Sequence, residues 1–334
     1  MEVDSLIPDD PRVEHKYSTI EDGITYHYML AKPHGRAHAT VILLHGWPDL
    51  GFGWRFQVPH LTSLGFRVVI PDMLGYGQTS SPTSPQEYSM KRMSGHIAHI
   101  IREVTTEPII LGGHDWGALL AWRIAIYYPS LIRGVFTFSV PFFPPSPTAI
   151  TLEEFVEQFP QFKYQLQLAS PTAEALAGKS EAALRGFLSS TYGGVTSGGL
   201  PGFDMSTGII AERLEKINST PLMSSEVLDH YVAEYSRSGL HGPMNWYRTM
   251  SINSEDELPL AAKMSGFQFQ MPGMIVMAGQ DPALPPALAE GQEVYFAAGL
   301  KKEVISGASH WVLIHFPEEA NRYIEEFVTG LLGM

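Results

Sequence analysis

Short runs of apolar residues, each cut off by glycine or proline, recur through the first 140 positions and return near the end of the chain. Residues 41–44 stop at His45-Gly46-Trp47-Pro48, residues 67–70 at Pro71-Asp72, and residues 108–111 at Gly112-Gly113. Residues 134–138 and 273–278 repeat the pattern. These runs are continuous rather than alternating, which is how strands buried on both faces of a parallel sheet read. Between them the period changes. Met90, Met93, Ile97, Ile100, Ile101 and Val104 keep helical spacing over 88–104, and Tyr323, Phe327 and Leu331 do so over 318–331. A further helix is predicted over 118–127. Strands alternating with helices predict an α/β fold with a mostly parallel, doubly wound sheet.

The pattern breaks at Pro141-Phe142-Phe143-Pro144-Pro145-Ser146-Pro147. From there to about residue 260 the chain offers helical segments and a glycine-rich loop at 193–202, but no strand-like run. The expected organisation is a core formed by 1–141 and 263–334, with 142–262 inserted as a helical lid. The glycine-rich loop reads as a flexible connection. It lacks the preceding strand and the following Lys-Ser/Thr pair of a phosphate loop.

Composition narrows the chemistry. Twenty-two basic and 35 acidic residues give a formal charge of −13, which repels nucleic acid and anionic lipid. There is no cysteine, so disulfides, thiolate metal sites and cysteine nucleophiles are excluded. The acidic start MEVDSLIPDD lacks the features of a secretory signal, no peroxisomal tripeptide ends the chain, and no apolar run suits a membrane span. A soluble cytoplasmic protein is expected. His96 and His99, three apart on a predicted helix, read as a solvated face, and no metal-ligand spacing is present.

The chemistry-bearing stretch is Gly113-His114-Asp115-Trp116-Gly117, between a predicted strand and a predicted helix. Glycines two positions either side of the central residue match the spacing of a nucleophile elbow. A sharp turn there pushes the central side chain into the cleft above the sheet. A carboxylate in place of serine attacks saturated carbon and leaves an alkyl ester. Partners in such enzymes follow in the order acid, then histidine. Asp281 ends the run 273–278, and His310 lies between Val304-Ile305 and the last helix. Asp281 would orient His310 as the base. His45-Gly46-Trp47-Pro48 stands where the second oxyanion-hole amide originates, so the amides of Trp47 and Trp116 would share one oxygen of Asp115. An unshifted His310 would lose its function as base on protonation near or below about 6.5.

Together these residues resemble the α/β-hydrolase-fold epoxide hydrolases, of the soluble type found in fungi and mammals. The resemblance runs from about residue 38 to the C-terminus. It includes Gly75-Tyr76-Gly77, the lid segment Phe162-Lys163-Tyr164-Gln165-Leu166 and the lid segment Gly242-Pro243-Met244-Asn245-Trp246-Tyr247-Arg248. It implies that Tyr164 and Tyr247 hold the epoxide oxygen opposite the nucleophile. It also implies a small apolar epoxide and water as substrates, a vicinal diol as product, and no cofactor. Three alternatives share the scaffold: a haloalkane or haloacid dehalogenase, an epoxide-opening cyclase that uses a substrate hydroxyl, and a non-catalytic ligand receptor. Selectivity would rest on lid residues such as Phe142, Phe143, Phe155, Phe159, Leu166 and Met205.

Overall fold

A computed structural model describes residues 3–334, which divide into two compact units. Ten strands follow in chain order: β1 (Val13–Thr19), β2 (Thr25–Ala31), β3 (Thr40–Leu44), β4 (Arg67–Pro71), β5 (Ile109–His114), β6 (Ile132–Phe138), β7 (Phe203–Asp204), β8 (Gly208–Ile209), β9 (Gly273–Ala278) and β10 (Leu300–Ile305).

The first unit comprises Met1–Met73, Met90–Pro144 and Ala262–Met334. Its sheet has eight strands in the order β1-β2-β4-β3-β5-β6-β9-β10. The pairs β1–β2 and β2–β4 are antiparallel, and every other pair is parallel. Every residue of β3, β5 and β9 is buried, which explains why those runs read as continuously apolar. The helices Met90–Val104, Trp116–Tyr127 and Pro317–Gly330 occupy the predicted helical stretches.

The hairpin β1–β2 was not expected from apolar pattern. β1 is an edge strand in which only Val13 and Ser18 are buried, so its sequence VEHKYST carries little hydrophobic signal. The available signal was Asp22-Gly23 between runs rich in Tyr and Thr, a turn dipeptide in which Gly23 takes a positive φ. The hairpin corrects one expectation. His96 is buried rather than solvated, because the Tyr26 hydroxyl lies 3.2 Å from its Nδ1 and Asp22 lies 3.5 Å from its Nε2. His99 on the same helix stays partly exposed beside Glu103. Phe142 is also reassigned. It is fully buried in this first unit, packed against Trp122, Phe269 and Tyr295, and is not a lid residue.

The second unit comprises Leu74–Ser89 and Pro145–Ala261. It is largely helical, and its caps are written in the sequence. Thr151 and Glu154 form a capping box on the helix Leu152–Gln158, while Ser180 and Ser224 cap Glu181–Thr191 and Ser225–Ser238. Contrary to the expectation of no strands, β7 and β8 pair as a small antiparallel hairpin. Two-residue strands are too short to show periodicity. The Gln167 side chain ties this hairpin down, donating to the Ile209 carbonyl and accepting from the Ile209 amide. Leu74–Ser89 joins this unit by close backbone approach. A Cβ on Gly242 would lie 2.5 Å from the Gly75 Cα, and the Trp246 indole donates to the Leu74 carbonyl at 2.9 Å.

Candidate active site

Strand order places Asp115, Asp281 and His310 after strands of the first unit's sheet. β5 is central, with β3 on one side and β6, β9 and β10 on the other. Leu44 of β3 pairs with Gly113 of β5, so the chain leaving β3 and the chain leaving β5 emerge side by side. Asp115 sits between β5 and the helix Trp116–Tyr127, with φ 53° and ψ −126°. A non-glycine residue pays for that conformation, and such strain clusters at functional positions. Although Asp115 occupies the N-cap position, its side chain does not cap the helix. Instead Oδ1 accepts the Trp47 amide at 2.7 Å, and the carboxylate also accepts the Trp116 amide. The turn is this tight because Gly117 has no side chain. A Cβ there would lie 2.3 Å from the Leu44 carbonyl oxygen and 2.5 Å from that of His45.

His310 follows β10, and Asp281 follows β9, the neighbouring strand. His310 Nδ1 donates to Asp281 Oδ2 at 2.6 Å, and its Nε2 lies 3.5 Å from Asp115 Oδ2. The other oxygen of Asp281 accepts the amides of Ala283 and Leu284, so this carboxylate is fully engaged. Burial would raise the Asp281 pKa, but the His310 charge and hydrogen bond, with those amides, hold it below the usual carboxylate range. For Asp115 burial wins over His310 and the two amides, and the pKa is raised. For His310 burial favours the neutral ring, yet Asp281, then Asp115 and Asp49, push it up to about 9. The expectation of a titration near or below about 6.5 is therefore corrected upward, because acidic groups surround this imidazole.

The remaining motif residues support rather than react. His45 donates from Nδ1 to the Gly46 carbonyl and accepts the Met73 amide on Nε2, which fixes one neutral tautomer. Burial lowers its pKa. His114 donates from Nε2 to the His310 carbonyl at 2.9 Å, bracing the loop that carries His310. Burial, helped by the His310 charge, pushes His114 down to about 3. The Trp47-Pro48 peptide bond is cis. Asp49, one residue beyond Pro48, was missed in the sequence. It is buried, and its charge contributes to the raised pKa of His310. Its signal was an acid within the same strand-end turn.

Tyr164 and Tyr247 belong to the second unit, where their rings lie 6.2 Å apart between centroids and nearly perpendicular. Tyr164 opens the helix Tyr164–Ala169, and Tyr247 lies in the 3₁₀ turn Trp246–Arg248. Among the described residues no cluster of three or more histidine or acidic side chains could hold a metal ion, and no helix is long and apolar enough to cross a membrane.

A carboxylate on a strained elbow that accepts two amides, with a histidine–aspartate pair beyond later strands, defines a hydrolase site on a doubly wound sheet. The chain belongs to the family described as alpha/beta hydrolase fold, whose model matches residues 39–317. Within that fold it is an epoxide hydrolase by family. It is 55% identical over 99% of its length to the whole of the Neurospora crassa protein named epoxide hydrolase srdG. It is 31% identical over 95% of its length to the Rattus norvegicus bifunctional epoxide hydrolase 2, of which it spans 56%. Among solved structures, a Vigna radiata epoxide hydrolase mutant superposes with a TM-score of 0.79 at 26% identity, covering 95% of this chain and 99% of that one.

Proposed function

We propose that this enzyme opens a small apolar epoxide through a covalent ester on Asp115 and releases a vicinal diol. The observation that carries the reading is the asymmetric environment of the Asp115 carboxylate. Oδ1 is held by the Trp47 amide, while Oδ2 faces His310 Nε2. Oδ2 is then the attacking atom. It bonds to an epoxide carbon as the ring C–O bond breaks, and the ring oxygen takes a proton from Tyr164 or Tyr247. An alkoxide is a poor leaving group, which is why acidic donors are needed at that oxygen. The result is a hydroxyalkyl ester.

Hydrolysis follows at the ester carbonyl. Neutral His310 takes a proton from water, and the hydroxide attacks the Asp115 carboxyl carbon. Oδ1 becomes the oxyanion and rests on the Trp47 amide, which already donates to it, with the Trp116 amide also on this carboxylate. The tetrahedral centre collapses, the bond between the Asp115 carboxyl carbon and Oδ2 breaks, the imidazolium gives its proton to Oδ2 as it leaves in the diol, and the new Asp115 carboxylic acid releases its proton to solvent. The second diol oxygen already carries the tyrosine proton, and the tyrosinate regains one from solvent. Asp281 keeps the imidazole in the required tautomer throughout.

The test is His310→Ala incubated with styrene oxide, cyclohexene oxide, propylene oxide and a set of haloalkanes, followed by intact-protein mass. An adduct equal to the whole epoxide, absent in Asp115→Ala, is the expected result. An adduct equal to a haloalkane less hydrogen halide would move the enzyme to dehalogenation. With the wild-type enzyme, a product that gains no water would mark a cyclase.

A further inference from the structure

Two phenols of the second unit, Tyr164 and Tyr247, sit on elements that one guanidinium joins. We propose that Arg248 is a positioning residue that sets the spacing between Tyr164 and Tyr247, and through it the rate of epoxide ring opening. The inference rests on the reading of these two tyrosines as the groups that hold the epoxide oxygen.

Arg248 follows Tyr247 directly and ends the same 3₁₀ turn. Its side chain reaches three other places. Nε donates to the Ala169 carbonyl at 2.8 Å and Nη2 to the Ser170 carbonyl at 3.3 Å. Ala169 is the last residue of the helix that begins at Tyr164, so its carbonyl is among the groups a helix end leaves without intrahelical partners. Nη1 donates to Asn245 Oδ1 at 2.9 Å, which stiffens the turn carrying Tyr247. Nη2 pairs with Glu174 Oε1 at 2.5 Å, on the helix Pro171–Ala177. Glu174 is itself held by His241 Nδ1 at 3.1 Å. One planar fork therefore joins the far end of the Tyr164 helix, the following helix and the Tyr247 turn. The near end of the Tyr164 helix is fixed separately, by the Tyr164 amide on the Met205 carbonyl at 3.1 Å.

Two donors can serve one oxygen only if their separation is held, and a displacement of about 1 Å can cost up to ~100-fold in rate. A fork of fixed geometry does this better than a flexible point charge, because its donors diverge at set angles. Removing Arg248 removes this tie between the Tyr164 helix and the Tyr247 turn. Ester hydrolysis uses Asp281 and His310 in the other unit and does not draw on this spacing.

The experiment measures ester formation and ester breakdown separately, by rapid quench and intact mass in single turnovers. The substrate is whichever of styrene oxide, cyclohexene oxide and propylene oxide the wild-type enzyme converts fastest. Arg248→Met is expected to slow ester formation by roughly 10- to 100-fold, with breakdown unchanged within about twofold. In a Tyr247→Phe background, where no pair remains to be spaced, the same substitution should cost much less. Equal loss in both steps, an unchanged rate of ester formation, or a full loss persisting in the Tyr247→Phe background would each overturn the proposal. Tyr164→Phe and Tyr247→Phe alone test the underlying reading. If both form ester at the wild-type rate, it is the role of the phenols that fails. Should Arg248→Met not fold, Glu174→Gln, which keeps an acceptor and removes the charge, must show the same step-selective loss in weaker form.

Discussion

Asp115 and His310 are shifted upward from opposite sides of their charge. For the aspartate, burial makes the anion costly, so the carboxylate is a stronger base than one in water. For the histidine, neighbouring anions outweigh burial and hold the cation up to about 9. At neutral pH a value of about 9 leaves His310 an imidazolium beside the Asp281 carboxylate. Ester formation erases the Asp115 charge and with it part of what holds the proton on His310. Asp281 remains, so the base in the intermediate titrates in a window below the resting value of about 9. The sign follows directly: breakdown needs the neutral ring, so its rate rises with pH across that window, while ester formation needs only the Asp115 carboxylate. Ester should accumulate near pH 6 and vanish toward pH 9, as read by intact mass during turnover. A breakdown rate flat across this range would remove His310 from the role of base. Asp281→Asn should slow breakdown by roughly 10⁴-fold, as expected when a histidine loses the partner that sets its tautomer.

At the scale of elements, the elbow works because a helix backbone runs against a strand end. Gly117→Ala puts a methyl group into the carbonyls of Leu44 and His45, which are backbone atoms and cannot rotate away. The helix Trp116–Tyr127 must then lift from β3 and carry the Trp116 amide off the Asp115 carboxylate. The expected cost is about 1–3 kcal/mol in stability, measured by urea unfolding, together with a loss of ester breakdown larger than any loss of substrate binding. Wild-type breakdown in this variant would show that the two amides are not needed. The same logic explains what the sequence concealed at this scale. The His96 environment is created by Tyr26 and Asp22, some 70 positions away, so helical periodicity within 88–104 could not reveal which face is covered.

For the whole molecule, the proposed reaction divides between the two units. Of the residues to which that proposal gives roles, Tyr164 and Tyr247 belong to the second unit and His310 and Asp281 to the first. Tyr164→Phe and Tyr247→Phe should each slow ester formation by roughly 10²-fold or more and leave breakdown unchanged. His310→Ala should do the reverse. Single-turnover traces that changed both steps together in each variant would contradict the division. The sequence already separated these roles in part. Asp115 and Asp281 were legible because each follows an apolar strand, and His310 because it follows Val304-Ile305 and precedes the last helix, whereas Tyr164 and Tyr247 entered only through family resemblance. Fourteen tyrosines occur in the chain, and no local pattern distinguishes those two.

What the sequence alone determined is therefore whatever chain order and local pattern encode: an α/β sheet, a carboxylate on a glycine-flanked elbow, and an acid and a histidine behind later strands. Buried strands must be apolar and a tight turn must have glycine, so both leave marks within a few residues. Tertiary structure decided the rest. It covered His96 with a polar hairpin, moved Phe142 into the core of the first unit, and gathered Asp49, Asp115 and Asp281 around His310. It also gave Arg248 its acceptors on Ala169, Ser170 and Glu174. Electrostatic and hydrogen-bond environments depend on distances through space, and groups that lie far apart along the chain set them only after the backbone has folded.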